Sequence, residues 1–428
     1  MKRERGASEA VQNLVIAALL ISAVLLGWGT GLFNDFFASI SLLNLPQSVS
    51  GVPAGYDPAV GVMLEAARPA SIVVTNENGE RAFAKYDTDA LDLLYERTGG
   101  ILGEALGAAA EAEPCNEAQW RGALGAPGIL FEYATPISLP ILGGWLGAAL
   151  ADTGGEIAVR QVCVVFGDGV NRLFFRDARD GTCYASETIS FGAPPQIPGQ
   201  YGDAVEFVFE RADVPRDGAP YMALSGVRAH PVVSAANPLE PPAAADALLA
   251  SLGVSQQLKT SYPESDGTQV FVTNAFTFSL SPDGFAVYRH TAAIRAARES
   301  VTESAAIELA RRAAADTVGA YSADGRVYFS GIEPSGGGYA VTFDYFVAGG
   351  RVYLPGGEHA ARVILRDGTV TEMSLYFRSY TVTGETVALL PEKQALAAAG
   401  RAFSLCYSDT SGGGLEPYWA TETEADVT

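Results

Sequence analysis

Lysine is nearly missing from this chain. It occurs only as Lys2, Lys85, Lys259 and Lys393, and Lys and Arg together number 28 against 49 Asp and Glu, a formal net charge of −21 over 428 residues. Such a surface repels phosphate polymers unless a local basic patch intervenes, and no run of Lys or Arg supplies one. Nucleic acid is therefore not an expected partner. Histidine is as scarce: His230, His290 and His359 stand far apart without HxH, HxxxH or HExxH spacing, so a histidine metal site would need all three to converge. The four cysteines, Cys115, Cys163, Cys183 and Cys406, form no CxxC pair, which argues against zinc. In an oxidising compartment they could close one or two disulfides; otherwise they read as small buried thiols. GxSxG, a P-loop and SxxK are absent, which removes sequence support for serine-hydrolase, nucleotide-binding and penicillin-binding chemistry. Carboxylates such as Glu132 and Asp344 could pair as in a glycosidase, and Cys163 or Cys183 could meet a histidine, but nothing in the spacing selects either arrangement. No catalytic, cofactor-binding or metal-ligating residue is expected, and the chain does not read as an enzyme.

Apolar residues make up 48% of the chain and charged residues 18%, enough for well-filled cores and for two or three domains. One hydrophobic run is long. From Ala10 to Asn34 there is no charge, and LVIAALLISAVLLGWG is almost wholly apolar. As a helix, at ~1.5 Å per residue, this stretch spans a bilayer. Lys2, Arg3 and Arg5 precede it and Asp35 is the first charge after it, which puts the amino terminus in the cytoplasm and the bulk of the chain outside. Its length and the lack of an A-x-A site favour an uncleaved anchor over a signal peptide. Ala23, Gly27 and Gly31 recur every four residues and line one face with small side chains, a candidate contact for another membrane helix.

The divisions that follow are a cytoplasmic tail at 1–10, a transmembrane helix at 11–33, a Pro-containing stalk at 34–66, an N-terminal domain at 67–236, a middle helix-strand unit at 237–299 and a C-terminal domain at 300–428. The boundary near 237 rests on NPLEPPAAAD, whose three prolines argue against a regular element there. Turn pairs recur beside alternating apolar runs: Asn78-Gly79, Asp168-Gly169, Asp180-Gly181, Asp266-Gly267, Asp283-Gly284, Asp324-Gly325 and Asp367-Gly368. Asn-Gly and Asp-Gly favour tight hairpins, so the sheets are expected to be mostly antiparallel.

Three short helices are expected in the carboxy half. Ser300 with Glu303 forms a capping-box pattern ahead of Ala306, Leu309, Ala310 and Ala313; Asp246 precedes ALLASLG; Pro391 and Gly400 bracket EKQALAAA. The class is α+β: one N-terminal transmembrane helix, then extracellular domains of antiparallel sheets packed with short helices. The most distinctive stretch is GYAVTFDYFVAGGRVYL, Gly338 to Leu354. With Gly349-Gly350 as a two-residue turn, Val347 faces Val352 and Tyr345 faces Leu354 on a core side. Phe346, Tyr353 and Asp344 then share the second side, which is either covered by the helix after Ser300 or offered to a partner protein.

Several segments resemble the YycH and YycI family. They are ARPASIVVTNENGERAFAKYD from Ala67, GILFEYATPISLPILGGWL from Gly128, the run from Ala247 to His290, ESAAIELARRA with the hairpin after it, and LEPYWATET near the end, the last also similar to PepSY-like modules. The resemblance implies a non-enzymatic regulator of the cell-wall two-component system. Such a protein sits in the membrane with its bulk outside and meets a sensor histidine kinase, and a paralogous regulator, through its helix and outer domains. On this reading Ala23, Gly27, Gly31, Phe346 and Tyr353 are the candidate partner-binding residues. The alternatives are a PepSY-like extracellular module that holds a partner inactive and a cell-envelope hydrolase with an acidic site.

Overall fold

A computed structural model describes residues 64–421, apart from 149–156, 168, 190–193, 197–200, 203–204, 212–219, 252–259, 292–301 and 411–412. The expected membrane helix with Ala23, Gly27 and Gly31, and the expected stalk up to residue 63, lie outside the described residues. Among the described residues no helix is long and apolar enough to cross a membrane.

The chain folds as α+β, with two large sheets. The first is built from β1 (Ser71–Thr75), β2 (Arg81–Ala84), β3 (Glu113–Cys115), β4 (Gly128–Ser138), β5 (Ala158–Val165), β6 (Asn171–Asp177), β7 (Cys183–Thr188) and β8 (Tyr201–Gly202). Their order is β3-β7-β6-β5-β4-β1-β2-β8, and every pair is antiparallel. All five residues of β1, SIVVT, are buried, which requires cover on both faces. Ile72 and Val74 look toward helix α1 (Thr88–Gly107), which buries Leu91, Leu94, Tyr95, Leu102, Ala105 and Leu106 at helical spacing. Val73 looks the other way, toward Trp120 of α2 (Glu117–Gly125). A third helix, α3 (Leu139–Trp145), follows β4. The residues after this sheet form the short pair β9 (Glu206–Phe207) and β10 (Ala223–Leu224), then β11 (Ala229–Ala236).

The remaining strands are β12 (Thr260–Pro263), β13 (Gln269–Val272), β14 (Phe276–Leu280), β15 (Phe285–His290), β16 (Arg326–Ser335), β17 (Gly338–Val347), β18 (Gly350–Tyr353), β19 (Ala361–Arg366), β20 (Thr369–Tyr376), β21 (Ser379–Ala388), β22 (Phe403–Ser408), β23 (Gly413–Leu415) and β24 (Tyr418–Thr421). Eleven of them form the second sheet, in the order β12-β13-β14-β15-β20-β19-β17-β18-β22-β24 with β16 also on β17. Only β18 and β22 pair in parallel in this sheet. Because β15 pairs with β20, the stretches separated near residue 300 on sequence grounds share one sheet. A small sheet, β21-β11-β23, crosses the sequence boundary at 237 in the same way.

Six of the seven Asx-Gly pairs place their glycine in the left-handed region, with φ from 72° to 92°. Asp324-Gly325 differs. There the left-handed residue is Ala323, and glycine is needed at 325 for space: a Cβ would stand 2.9 Å from the Tyr380 ring and 3.0 Å from the Ser322 carbonyl oxygen.

Two helix starts also differ from expectation. Helix α4 (Pro242–Ser251) begins inside the proline-rich break and not after Asp246, because proline is tolerated in a first turn whose N–H groups have no partner anyway. Helix α5 (Glu303–Asp316) is capped by Thr302, whose hydroxyl accepts from the Ala305 amide at 3.2 Å, and Glu303 is its first residue. Ser300 lies outside the described residues. Helix α6 (Glu392–Ala399) runs between Pro391 and a left-handed Gly400, as expected.

The hairpin register is corrected as well. Phe346 pairs with Arg351 and Val347 with Gly350, so the turn is Ala348-Gly349, both at positive φ. A Cβ on Gly349 would lie 2.5 Å from the Lys85 carbonyl oxygen, so a close approach to the first sheet selects this turn. The slip is by two residues in the pairing, which leaves each side chain on its expected face. Tyr345, Val347, Val352 and Leu354 are all buried.

Candidate functional site

The two sheets meet along a junction, and the hairpin tip lies in it. Phe346 packs edge-on to Tyr328 at 5.1 Å and lines a small void with Lys85, Thr88 and Leu91. Its face is therefore covered by the first sheet's elements and not by α5, as one expectation had it. Helix α5 shares a cavity wall with Phe343, which projects from the opposite face of β17. Tyr353 is half-buried, with the Arg351 guanidinium over its ring at 5.1 Å. Phe346 and Tyr353 thus contact their own chain.

Asp344 is buried on the same side of the hairpin. It accepts from Arg351 Nη2 at 2.6 Å and pairs with His359 Nδ1 at 2.7 Å. Glu132 lies in the other sheet and accepts from Ser71 Oγ at 3.0 Å and Gln161 Nε2 at 3.4 Å. The two carboxylates named as a possible pair therefore belong to separate networks. All four cysteines carry free thiols. Cys163 has its thiol pushed up to about 12 by burial, the opposite of an activated nucleophile. Cys115 and Cys183 stand directly opposite each other on β3 and β7. No group of His, Cys, Asp and Glu among the described residues could hold a metal ion.

At one end of the junction, polar groups are densely paired around Glu392, the fully buried first residue of α6. Its carboxylate accepts from the Tyr86 hydroxyl and the Ser225 amide, and Lys85 Nζ stands 3.8 Å away. These three partners come from the end of β2 and from the chain after β10. Burial, reinforced by Glu392, holds the Tyr86 phenol well above its ordinary value, so Tyr86 stays a donor. Beside it His230 is 1% exposed, its ring edge-on to Tyr86 at 4.7 Å and to Trp419 at 5.3 Å, and neither ring nitrogen has a hydrogen-bond partner. Burial, with Lys85 nearby, lowers it to about 4.

The other end is hollow. A cavity of about 320 Å³ opens between α5, the start of β16, β4, α3 and the segment at residues 65–68. Its margins are tied across the junction: Thr135 Oγ1 donates to the Phe329 carbonyl at 2.7 Å, Trp145 Nε1 to Glu308 at 3.2 Å, and Arg326 Nη2 to Asp92 at 2.6 Å. None of these cavity residues was singled out from sequence. Their only signal was the arginine count in a chain poor in cations, and arginines scattered from 68 to 326 show no spacing.

No family model matches the chain, and no curated protein does. A solved structure has a similar architecture. The crystal structure of YycH from Bacillus subtilis is similar with a TM-score of 0.55 at 11% identity, covering 84% of this chain and 94% of that one. Neither sheet alone reaches such coverage, so the likeness to YycH runs through both and across the junction. At this identity it is a likeness of fold. The YycH-like arrangement expected from the quoted segments is thus present, and the PepSY-like detail is not part of the match.

Proposed function

We propose that the chain is a membrane-anchored regulator of a sensor histidine kinase, working by contact and without catalysis. The observation that carries this reading is the YycH architecture shared over both sheets. The charge-free run from Ala10 to Asn34 and the small-residue face at Ala23, Gly27 and Gly31 support it independently. The two sheets form the outer part, and the membrane helix pairs with kinase helices. Regulation requires unequal affinity for the kinase's signalling states, since a ligand that binds both equally shifts nothing; a swing from 1:99 to 99:1 needs about 10⁴-fold discrimination.

The test is co-purification of the full chain with the cell-wall sensor kinase from detergent, comparing wild type with Gly27→Leu and Gly31→Leu. The expected result is kinase recovery with the wild type, reduced in both variants, with a change in kinase output. Equal recovery and equal output would remove the helix contact, and no recovery with any form would remove the kinase as partner.

A further inference from the structure

One histidine stands where three sheets meet. His230 belongs to β11 of the small sheet, while Tyr86 on one side of its ring follows β2 of the first sheet and Trp419 on the other lies on β24 of the second. Tyr86 and Trp419 also meet each other at 6.2 Å, so the three rings close into one cluster. Trp419 carries the packing on into the second sheet through Phe403 at 4.9 Å. The backbone fixes where the imidazole sits, because His230 pairs with Val387 of β21 and the next carbonyl, that of Pro231, accepts from the Tyr407 hydroxyl of β22 at 3.1 Å. Its two nitrogens are sealed from water and bond nothing.

A proton added to this ring would give it a charge and make both nitrogens donors. No group around it is placed to accept. From the end of β2 come Lys85, a cation, and Tyr86, which burial keeps as a phenol. From α6 comes Glu392, whose carboxylate is already taken by Tyr86 and the Ser225 amide, with the Lys85 ammonium 3.8 Å away. From β22 comes Tyr407, whose hydroxyl is spent on Pro231, while Val387 of β21 and Trp419 of β24 do not titrate. Arg228, two residues earlier and exposed, is one more cation. Burial and Lys85 accordingly lower His230 to about 4.

We propose that His230 is an acid-operated latch on the junction: in mild acid its ring takes a proton and the Glu392 end opens, freeing Tyr86 and the first sheet from Trp419 while the hollow end stays joined. The closed contact refuses the proton and the open one, wetted, accepts it, so acid favours the open form. An exposed imidazole titrates near 6.5, and each pH unit below that, down to about 4, raises the open fraction about tenfold. Between pH 7.5 and 5.5 the rise is about tenfold, and carboxylates of ordinary strength, which titrate near 4, stay ionised throughout. No histidine is among the described residues lining the cavity, and the ties at that end join Thr135 to Phe329, Trp145 to Glu308 and Arg326 to Asp92. That end should therefore hold. The inference stands on the ring cluster alone and does not depend on the kinase contact.

The experiment is native-state hydrogen exchange of the full chain in detergent micelles at about pH 7.5 and about pH 5.5, read by peptide mass spectrometry and corrected for the intrinsic pH dependence of amide exchange. The reporters are the Ser225 amide, which is held by Glu392, and the first turn of α6, where Gln394 and Ala395 donate to Pro391. Peptides from β4 and α3 at the hollow end are the internal reference. On going to the lower pH, opening at the reporters is expected to rise about tenfold and at the reference by less than about twofold. His230→Phe keeps a ring in place but takes no proton, and should abolish the rise; His290 and His359 titrate in the same range and remain in that variant. The proposal is overturned if the two ends change by the same factor, if neither changes, or if His230→Phe opens as the wild type does. Should that variant fail to fold, the comparison of the two ends within the wild type still decides.

Discussion

The two ends of the junction are built from similar materials and resolved in opposite ways. At the Glu392 end, one buried carboxylate takes a phenol and an amide and stands near an ammonium, and the space is closed by the rings of Tyr86, His230 and Trp419. At the Arg326 end, Asp92 is shared between Arg68 and Arg326, the Tyr133 hydroxyl has no partner, and a cavity remains. The first arrangement closes its space around a satisfied carboxylate and the second leaves a cavity, so the Glu392 cluster is expected to matter more for holding the sheets together.

Glu392→Ala is the strongest way to break that comparison. It leaves the Tyr86 hydroxyl and the Ser225 amide without an acceptor in a dry site, and a loss of about 3 kcal/mol or more is expected in denaturant unfolding. A loss below about 1 kcal/mol would show that the cluster does not hold the junction.

Cys115 and Cys183 offer a next, opposite effect. They face each other across β3 and β7, while Cys163 is two strands away on β5 and Cys406 is on β22 in the other sheet. Treatment with oxidised glutathione is expected to link Cys115 to Cys183 alone, each thiol giving up its proton and the pair two electrons to the glutathione disulfide. Peptide mass spectrometry checks the pairing, and a stabilisation of about 2–3 kcal/mol should accompany it. Burial and the neighbouring Cys183 push the Cys115 thiol up to about 11, so the reaction should be slow at neutral pH and faster in alkali. Any linkage involving Cys163 would contradict the arrangement of this sheet.

His230 adds a dependence on pH. In the folded chain it is lowered to about 4, against about 6.5 unfolded, so above pH 6.5 it is neutral in both states and its contribution is fully present. Between pH 6.5 and 4 the unfolded chain takes up a proton that the folded one refuses, and stability falls by about 3 kcal/mol as pH drops. His230→Phe keeps a ring between Tyr86 and Trp419 and should flatten the unfolding free energy in that window. An unchanged slope would place the acid sensitivity in other groups.

Why one end was more legible than the other follows from where the signals lie. Pro391 and Gly400 mark α6 locally, and the hairpin alternation put Tyr345 and Val347 on the buried face even with the wrong turn, because a slip of two preserves the faces. Helix α1 was missed: Gly99-Gly100 interrupts its pattern, and Gly99 is there because a Cβ would stand 2.8 Å from the Tyr95 ring. The cavity was invisible for a different reason. Its arginines come from residue 68, from α5 and from β16, and only the packing of the two sheets brings them together. Phe346 was read as a surface residue or one under a helix, because its actual cover is the chain around Lys85, far away in sequence.

The finest comparison uses two buried tyrosines, one at each end, and the same substitution. Tyr86→Phe removes a donor from Glu392 and leaves a buried carboxylate short of a partner, so a loss of about 1.5–2 kcal/mol is expected. Tyr133→Phe removes a hydroxyl that bonds nothing and relieves its desolvation, so the unfolding free energy should stay level or rise by up to about 1 kcal/mol. The pair of measurements is sensitive to the sign of the difference and not only to its size. If Tyr133→Phe costs as much as Tyr86→Phe, then the Tyr133 hydroxyl has an acceptor and the contrast between the two ends disappears.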